Sequence, residues 1–234
     1  MKKKLEIYAH TSQVITDAYD RIITELFLLK EKSGLSLFAV CGIDPRVGST
    51  SIGINIAISM AQAGWKTALV DFDLRKIIEY KHLSDGFEVG IADYLTGKQE
   101  MDSIIYNTSQ ENLFFVPSGD VQMNPIALLC SPQMSALMRD LKENFDFVIV
   151  DTPALSTTAD SNVVATRMDG TILVVEYNTT YKKQLETSCE SLEAAGANVL
   201  GVVMNKADKE TYREYMRNYD YFNRKKYAKK RGDK

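Results

Sequence analysis

The sequence predicts an α/β fold in which a mostly parallel sheet is flanked by helices on both faces. Short segments that are almost entirely apolar alternate along the chain with segments of helical periodicity. Strands without a polar face are buried on both faces, as happens when helices cover both sides of a parallel sheet. At 234 residues, the chain is long enough to bury one such core.

The first element is a helix over residues 12–31, because Val14, Ala18, Ile22 and Leu26 fall on one face at helical spacing. The predicted strands are SLFAVC, KTALVDF, NLFFVPS, FDFVIVD, GTILVVEY and NVLGVVMN. Helices are predicted between them near residues 50–63, 89–96, 125–144, 160–167 and 181–195. Parallel strands joined by helices bind ligands beyond their carboxyl ends.

Composition indicates a cytoplasmic globular protein. Its 45% hydrophobic and 25% charged residues are ordinary for this class. The three cysteines are odd in number and widely spaced, which favours reduced thiols over disulfides. The N-terminal MKKKLEIYAH lacks the apolar run of a signal peptide, and no stretch approaches the ~18 apolar residues of a membrane span.

Charge divides the chain into two expected parts, a domain over 1–205 and a basic tail over 206–234. The tail holds 11 Lys and Arg against five Asp and Glu, a net of +6, which leaves −9 for the rest of a chain of formal charge −3. Such a tail is usually solvated, although it could also touch anionic lipid. We expect no nucleic-acid partner.

The segment GIDPRVGSTS lies between the first strand and the following helix, where a nucleotide-phosphate loop belongs. Such a loop directs backbone N–H groups at phosphate oxygens, while a lysine neutralises charge and a Ser or Thr hydroxyl binds Mg²⁺. The predicted nucleotide-binding residues are Pro45, Arg46, Val47, Gly48, Ser49, Thr50 and Ser51. Ser49 stands where the lysine is expected.

Carboxylates end two of the buried strands. Asp71 and Asp73 close the second strand and Asp151 closes the fourth. Aspartates beside a phosphate loop commonly hold Mg²⁺, so Thr50, Asp71 and Asp151 are candidate metal ligands. The alternative is that these aspartates only cap the helices that follow.

Together these motifs resemble the bacterial tyrosine kinases (BY-kinases) of capsule and exopolysaccharide assembly, of the CpsD/CapB type. The resemblance rests on Pro45 to Thr50, on DFDLR at 71–75, on DTP at 151–153 and on the tyrosine-rich end. It spans about residues 12–227 and implies a P-loop NTPase fold related to the MinD/ParA ATPases.

The resemblance implies a role for each matching residue. Thr50 corresponds to the magnesium-binding hydroxyl of the Walker A loop, and Asp151 to the Walker B aspartate. Asp71 and Asp73 correspond to the family's additional acids, which hold Mg²⁺ and activate the incoming tyrosine hydroxyl, so all three acids are the expected catalytic residues. Asn205 is similar to a residue near the adenine, and the implied cofactor is Mg-ATP or Mg-ADP.

The departures from the family are informative. The loop lacks the lysine at Ser49 and has Arg46 where a glycine is usual. The family's ExxRxxR assembly motif is replaced at Asp17, Asp20 and Ile23, so both of its arginines are missing. The MinD/ParA branch needs a lysine where this chain has Asp44, which argues against membership of that branch.

The basic tail is also rich in tyrosine, which is unusual for a disordered segment. The candidate phosphorylation sites are Tyr212, Tyr215, Tyr219, Tyr221 and Tyr227. In the resembling kinases such a cluster is phosphorylated by a neighbouring subunit and controls assembly with a membrane-spanning activator. An amphipathic helix that packs on the domain is the alternative.

Three functions stay open from the sequence. The first is a kinase-like scaffold or phosphorylated partner, weak in ATP binding and recruited to the membrane by a polysaccharide co-polymerase. The second is an active tyrosine autokinase with an unusual loop. The third is a switch ATPase of the MinD type.

Overall fold

The structure, a computed structural model, describes Leu5 and residues 13–75, 89–120, 122 and 124–208. Within these ranges the chain forms a seven-stranded sheet in the order β3-β4-β2-β5-β1-β6-β7. All neighbouring strands are parallel except β3 and β4. The predicted mostly parallel sheet is confirmed.

The strands are short and mostly buried. Their bounds are β1 Leu37–Gly42, β2 Thr67–Asp71, β3 Tyr106–Asn107, β4 Leu113–Val116, β5 Phe147–Asp151, β6 Gly170–Glu176 and β7 Val199–Asn205. The helices are α1 Gln13–Ser33, α2 Ser49–Gln62, α3 Ile91–Leu95, α4 Met101–Ile104, α5 Pro125–Leu129, α6 Pro132–Asn144, α7 Asp160–Ala165 and α8 Lys182–Ala194. Among the described helices, none is long and apolar enough to cross a membrane.

Helices cover both faces of the sheet, as predicted. One apolar core lies between the sheet and α1 with α2, and it includes Leu26 and Ile56. The other lies between the opposite face and α3 to α8, and it includes Leu137 and Val164. The central strands are therefore enclosed on both sides, and every residue of β1, β2 and β5 is buried.

Three local features differ from the sequence prediction. The short helix α4, Met101–Ile104, was not predicted. The helix predicted over 125–144 is two helices, because Pro132 lacks an N–H group and begins a new helix after Ser131. The antiparallel edge strand β3 was not predicted, since two residues give no periodic pattern.

The topology brings the candidate residues to one edge of the sheet. β5 lies between β1 and β2, so the carboxyl ends of these three strands are neighbours. The proposed division between a 1–205 domain and a 206–234 tail stays a prediction, because residues 209–234 lie outside the described ranges.

Candidate nucleotide and magnesium site

The segment between β1 and α2 has the shape of a phosphate loop. Gly48 precedes α2 in a left-handed conformation, with φ 94° and ψ 23°, and its carbonyl accepts the Ile52 N–H at 3.0 Å. Arg46 also has a positive φ, of 66°. The left-handed region costs a residue with a Cβ roughly 1–2 kcal/mol, so the glycine usual in this position fits the observed turn and Arg46 strains it.

The end of β7 is fastened to this loop. Asn205 Nδ2 donates a hydrogen bond of 2.8 Å to the Val47 carbonyl. A Cβ added at Gly48 would lie 2.2 Å from the same nitrogen, so only glycine fits here. The Asn205 side chain therefore supports the loop in this structure, while its expected place near an adenine stays a prediction.

Two of the predicted acids lie side by side. Asp71 and Asp151 are register partners at the ends of β2 and β5 and are 1% and 2% exposed. Thr50 Oγ1, in the first turn of α2, donates a hydrogen bond of 2.7 Å to Asp151 Oδ2. The hydroxyl and the carboxylates predicted to bind the metal thus come from three neighbouring elements.

The third acid follows Asp71 closely in the chain. The Asp73 N–H donates to Asp71 Oδ1 at 3.0 Å, and the Arg75 N–H donates to Asp73 Oδ1 at 3.3 Å. The guanidinium of Arg75 binds Asp160, at the start of α7, in a bidentate pair of 2.5 and 3.0 Å. The DFDLR segment is thereby attached to the element that follows β5.

The donor chemistry suits magnesium. Carboxylate and hydroxyl oxygens are the ligands it prefers, and it commonly takes one or two carboxylates with the remaining places filled by phosphate and water. Within the described ranges, no cluster of three or more His, Cys, Asp or Glu side chains is arranged to hold a metal ion. The oxygen donors of Thr50, Asp71 and Asp151 are of the kind that Mg²⁺ prefers, so these residues fit the predicted ion.

The loop position where a lysine is expected does not fit the predicted nucleotide site. Ser49 is the first residue of α2, directly after Gly48, and its side chain lies against Gly42, where an added Cβ would be 3.0 Å from Ser49 Oγ. Arg46 is the only basic residue from Gly42 to Ser51, and it lies exposed at the tip of the loop. A short neutral side chain thus occupies the place from which a lysine would reach the phosphates.

Asp44, where the MinD/ParA branch needs a lysine, has a structural partner. Its Oδ2 accepts a hydrogen bond of 2.5 Å from Gln184 Nε2 on α8. Beside it lies a groove of about 640 Å³ lined by Ile43, Ser156 and Tyr181, among others. None of the three predicted acids lines this groove. The prediction that the nucleotide binds at the strand ends is therefore independent of it.

Some predicted sites lie outside the described residues. These are the five tail positions Tyr212, Tyr215, Tyr219, Tyr221 and Tyr227. Their phosphorylation stays a prediction. The replaced assembly positions Asp17, Asp20 and Ile23 lie on α1, which packs on α2, and Ile23 is buried there.

The fold is that of the P-loop nucleoside triphosphatases. A family described as an AAA domain matches residues 41–200. The septum site-determining protein MinD of Pyrococcus horikoshii, solved with Mg-ADP, has a TM-score of 0.59 and 19% identity over 76% of this chain and 76% of that one. At that identity the likeness concerns the fold alone.

Closer relatives identify the branch. Tyrosine-protein kinase CpsD of Streptococcus pneumoniae serotype 4 is 32% identical over 208 residues, which are 88% of this chain and 89% of that protein. The kinase domain of the Escherichia coli tyrosine kinase Etk has a TM-score of 0.75 and 27% identity, covering 83% of this chain and 78% of that domain. The chain belongs to the bacterial tyrosine kinase family that includes CpsD.

Sequence reasoning missed two contacts of the site. Asp160 looks like an ordinary helix-start aspartate, and nothing local shows that Arg75, 85 residues earlier, binds it. The Asn205 side chain meets Val47 across 158 residues. Arg75 within DFDLR was the one signal that could have raised the question of a partner.

Proposed function

We propose that this chain is a BY-kinase-like regulator of capsular or exopolysaccharide biosynthesis with impaired ATP binding and phosphoryl transfer. It acts as a scaffold or as a tyrosine-phosphorylated partner. The observation that carries the proposal is Ser49 at the start of α2, beside a Thr50–Asp151 hydrogen bond and an Asp71 that are both retained.

The remaining residues have definable tasks. The N-terminus of α2 presents backbone N–H groups that bind phosphate oxygens. Thr50, Asp71 and Asp151 would hold Mg²⁺, which supplies positive charge against the phosphates when bound. Asp73, which is half-buried and follows Asp71 by two residues, is suited to accept the proton of a tyrosine hydroxyl.

The missing lysine should lower both the nucleotide affinity and the rate of phosphoryl transfer. A hydrogen bond to a charged group contributes about 1.5–3 kcal/mol, so nucleotide affinity falls on the order of ten- to a hundredfold. Loss of a donor that acts in the transition state typically lowers the rate by ~10²–10³. Weak binding with much weaker transfer is therefore the expected behaviour.

The family supports a partner at the membrane. We propose that a membrane-spanning polysaccharide co-polymerase recruits the chain to the inner face of the membrane, with self-association as a further mode of assembly. A phosphate on each tail tyrosine adds about −1.5 to −2 charges, so a few of them reverse the +6 of residues 206–234. Phosphorylation by another kinase would then change the partners of this tail.

Self-phosphorylation tests the proposal. The purified full chain is incubated with Mg-ATP and probed for phosphotyrosine, beside an Asp151→Asn variant that removes one proposed metal ligand. We expect both proteins to give the same background signal. Strong phosphorylation of the unmodified chain that disappears in Asp151→Asn would refute the impaired kinase.

One observation favours a second candidate function, an active autokinase. Arg46 keeps a strained positive φ at the exposed tip of the loop, and such strain is often retained at functional sites. If its guanidinium replaces the lysine, Arg46→Ala abolishes phosphotyrosine formation while Arg46→Lys keeps part of it. Activity of Arg46→Ala equal to that of the unmodified chain would exclude Arg46 as the substitute.

A further inference from the structure

We propose that Arg75 is a positioning residue that locks the two acid-bearing strand ends to each other through Asp160. This inference rests on the proposed nucleotide site and assigns a role to a residue that does not itself bind the nucleotide. It concerns a ring of contacts, called here the Arg75 ring, formed by Asp71, Asp73, Arg75, Asp160 and the segment 151–153.

One half of the Arg75 ring organises the end of β2. The Asp71 carboxylate accepts the Asp73 N–H, and the Asp73 carboxylate accepts the Arg75 N–H. Each acid therefore receives a backbone hydrogen bond from the residue two positions later. The last of these hydrogen bonds comes from the Arg75 N–H, so the orientation of both carboxylates depends on the position of Arg75.

The other half returns to β5. Asp160 accepts two hydrogen bonds from Arg75, and Ser161 Oγ, on the next residue, donates a bond of 2.6 Å to the Pro153 carbonyl. Pro153 lies two residues after Asp151. The Phe72 N–H donates to the Asp151 carbonyl at 2.9 Å and closes the ring.

Burial makes Asp160 a firm anchor. Its side chain is 2% exposed, whereas that of Arg75 is 41% exposed. A buried carboxylate needs a charged or hydrogen-bonding partner, and the planar guanidinium supplies two parallel bonds in one fixed geometry. The buried Asp160 thus fixes the Arg75 side chain, while the Arg75 backbone N–H orients Asp73.

The consequence concerns metal binding more than folding. Residues that orient metal ligands typically change metal affinity by about 10–100-fold when they are removed. We therefore expect Arg75→Ala to reduce the gain in ADP affinity produced by Mg²⁺ by about tenfold or more. The affinity for ADP without Mg²⁺ should stay the same, because the hydrogen bonds that the structure gives Arg75 are to Asp73 and Asp160.

The chain offers a matched control. Lys142 is 42% exposed and pairs at 2.5 Å with Asp169, which is 15% exposed and accepts the N–H groups of Ser36 and Leu37. This pair lies at the opposite end of the strands, where β1 and β6 begin. Lys142→Ala therefore removes a comparable ion pair without touching the Arg75 ring.

The experiment measures ADP binding calorimetrically, with and without Mg²⁺, for the full chain, Arg75→Ala, Arg75→Lys and Lys142→Ala. We expect the Mg²⁺-dependent gain to fall in both Arg75 variants and to be unchanged in Lys142→Ala. Arg75→Lys keeps the positive charge but cannot donate two parallel hydrogen bonds to Asp160. Because it leaves the buried carboxylate with a charged partner, it tests the proposal even if Arg75→Ala fails to fold. An equal gain in all four proteins would overturn the proposal.

If the unmodified chain binds no nucleotide, ATP binding is lost and not only weakened, and hydrogen exchange then tests the Arg75 ring. Arg75→Lys should speed exchange at the Phe72, Asp73 and Arg75 amides, while Lys142→Ala should speed it at Ser36 and Leu37. Unchanged exchange at the first three amides would refute the Arg75 ring even if the kinase proposal holds. Strong self-phosphorylation would refute impairment and leave the ring intact.

Discussion

Restoring the missing lysine is the most informative substitution in this chain. Ser49→Lys places an ammonium group at the first residue of α2, next to the left-handed Gly48 and one residue before Thr50. The acids at the ends of β2 and β5 are already adjacent, so no other group has to be rebuilt. We expect the variant to regain nucleotide affinity.

The magnitude follows from the bond that returns. One charged hydrogen bond to phosphate contributes about 1.5–3 kcal/mol, which corresponds to on the order of ten- to a hundredfold tighter Mg-ADP binding. Transfer should improve more, by ~10²–10³, because the lysine acts on charge that develops in the transition state. Arg46 stays strained, so Arg46→Gly with Ser49→Lys should perform at least as well.

Fluorescent ADP titration and phosphotyrosine detection measure the two effects. Ser49→Met is the control, since it has similar length but no charge. The reasoning is refuted if Ser49→Lys and Ser49→Met bind Mg-ADP equally, because the affinity would then not depend on the cation. It is also refuted if the unmodified chain already binds as tightly as Ser49→Lys.

Three further outcomes test the structure itself. Arg46→Gly should exceed Arg46→Ala in free energy of unfolding by about 1 kcal/mol in urea titrations, since only glycine relieves the positive φ; equal values would contradict the strain. Burial alone would raise the pKa of Asp169, but hydrogen bonds from Lys142 and two backbone amides lower it overall. The ionised Asp169 therefore stabilises the fold above its unfolded pKa of about 3.9, and this stabilisation is lost as pH falls through the lower folded pKa. Lys142→Ala should reduce the loss of unfolding free energy below pH ~4. An acid unfolding profile equal to that of the unmodified chain would contradict this role of Lys142. Burial raises the pKa of the Cys41 thiol to about 12, so iodoacetamide at pH 8 should label exposed Cys130 and spare Cys41, as peptide mass spectrometry can check.

Local patterns were enough to predict the sheet and the loop. Apolar runs such as FVIVD mark buried strands wherever they occur, and the carboxylates at their ends are visible in the sequence. Because parallel strands end at one edge, the predicted architecture places Asp71 and Asp151 at the same edge of the sheet. Their direct register pairing depends on the strand order, which the structure supplies.

Long-range side-chain contacts were beyond this reasoning. The bond from Asn205 to Val47 and the pair of Arg75 with Asp160 join residues far apart in the chain, and each uses an ordinary residue type. Their geometry depends on how loops settle after the strands have paired. No periodicity or spacing records it.

The most direct test of the central claim is a calorimetric titration of the unmodified full chain with ADP, in the presence and absence of Mg²⁺, beside Ser49→Lys. Because Asp71 and Asp151 are present, we expect Mg²⁺ to strengthen ADP binding. Because the lysine is missing at Ser49, we expect the affinity to be about ten- to a hundredfold weaker than that of Ser49→Lys. Affinity equal to that of Ser49→Lys, or binding indifferent to Mg²⁺, would contradict the account.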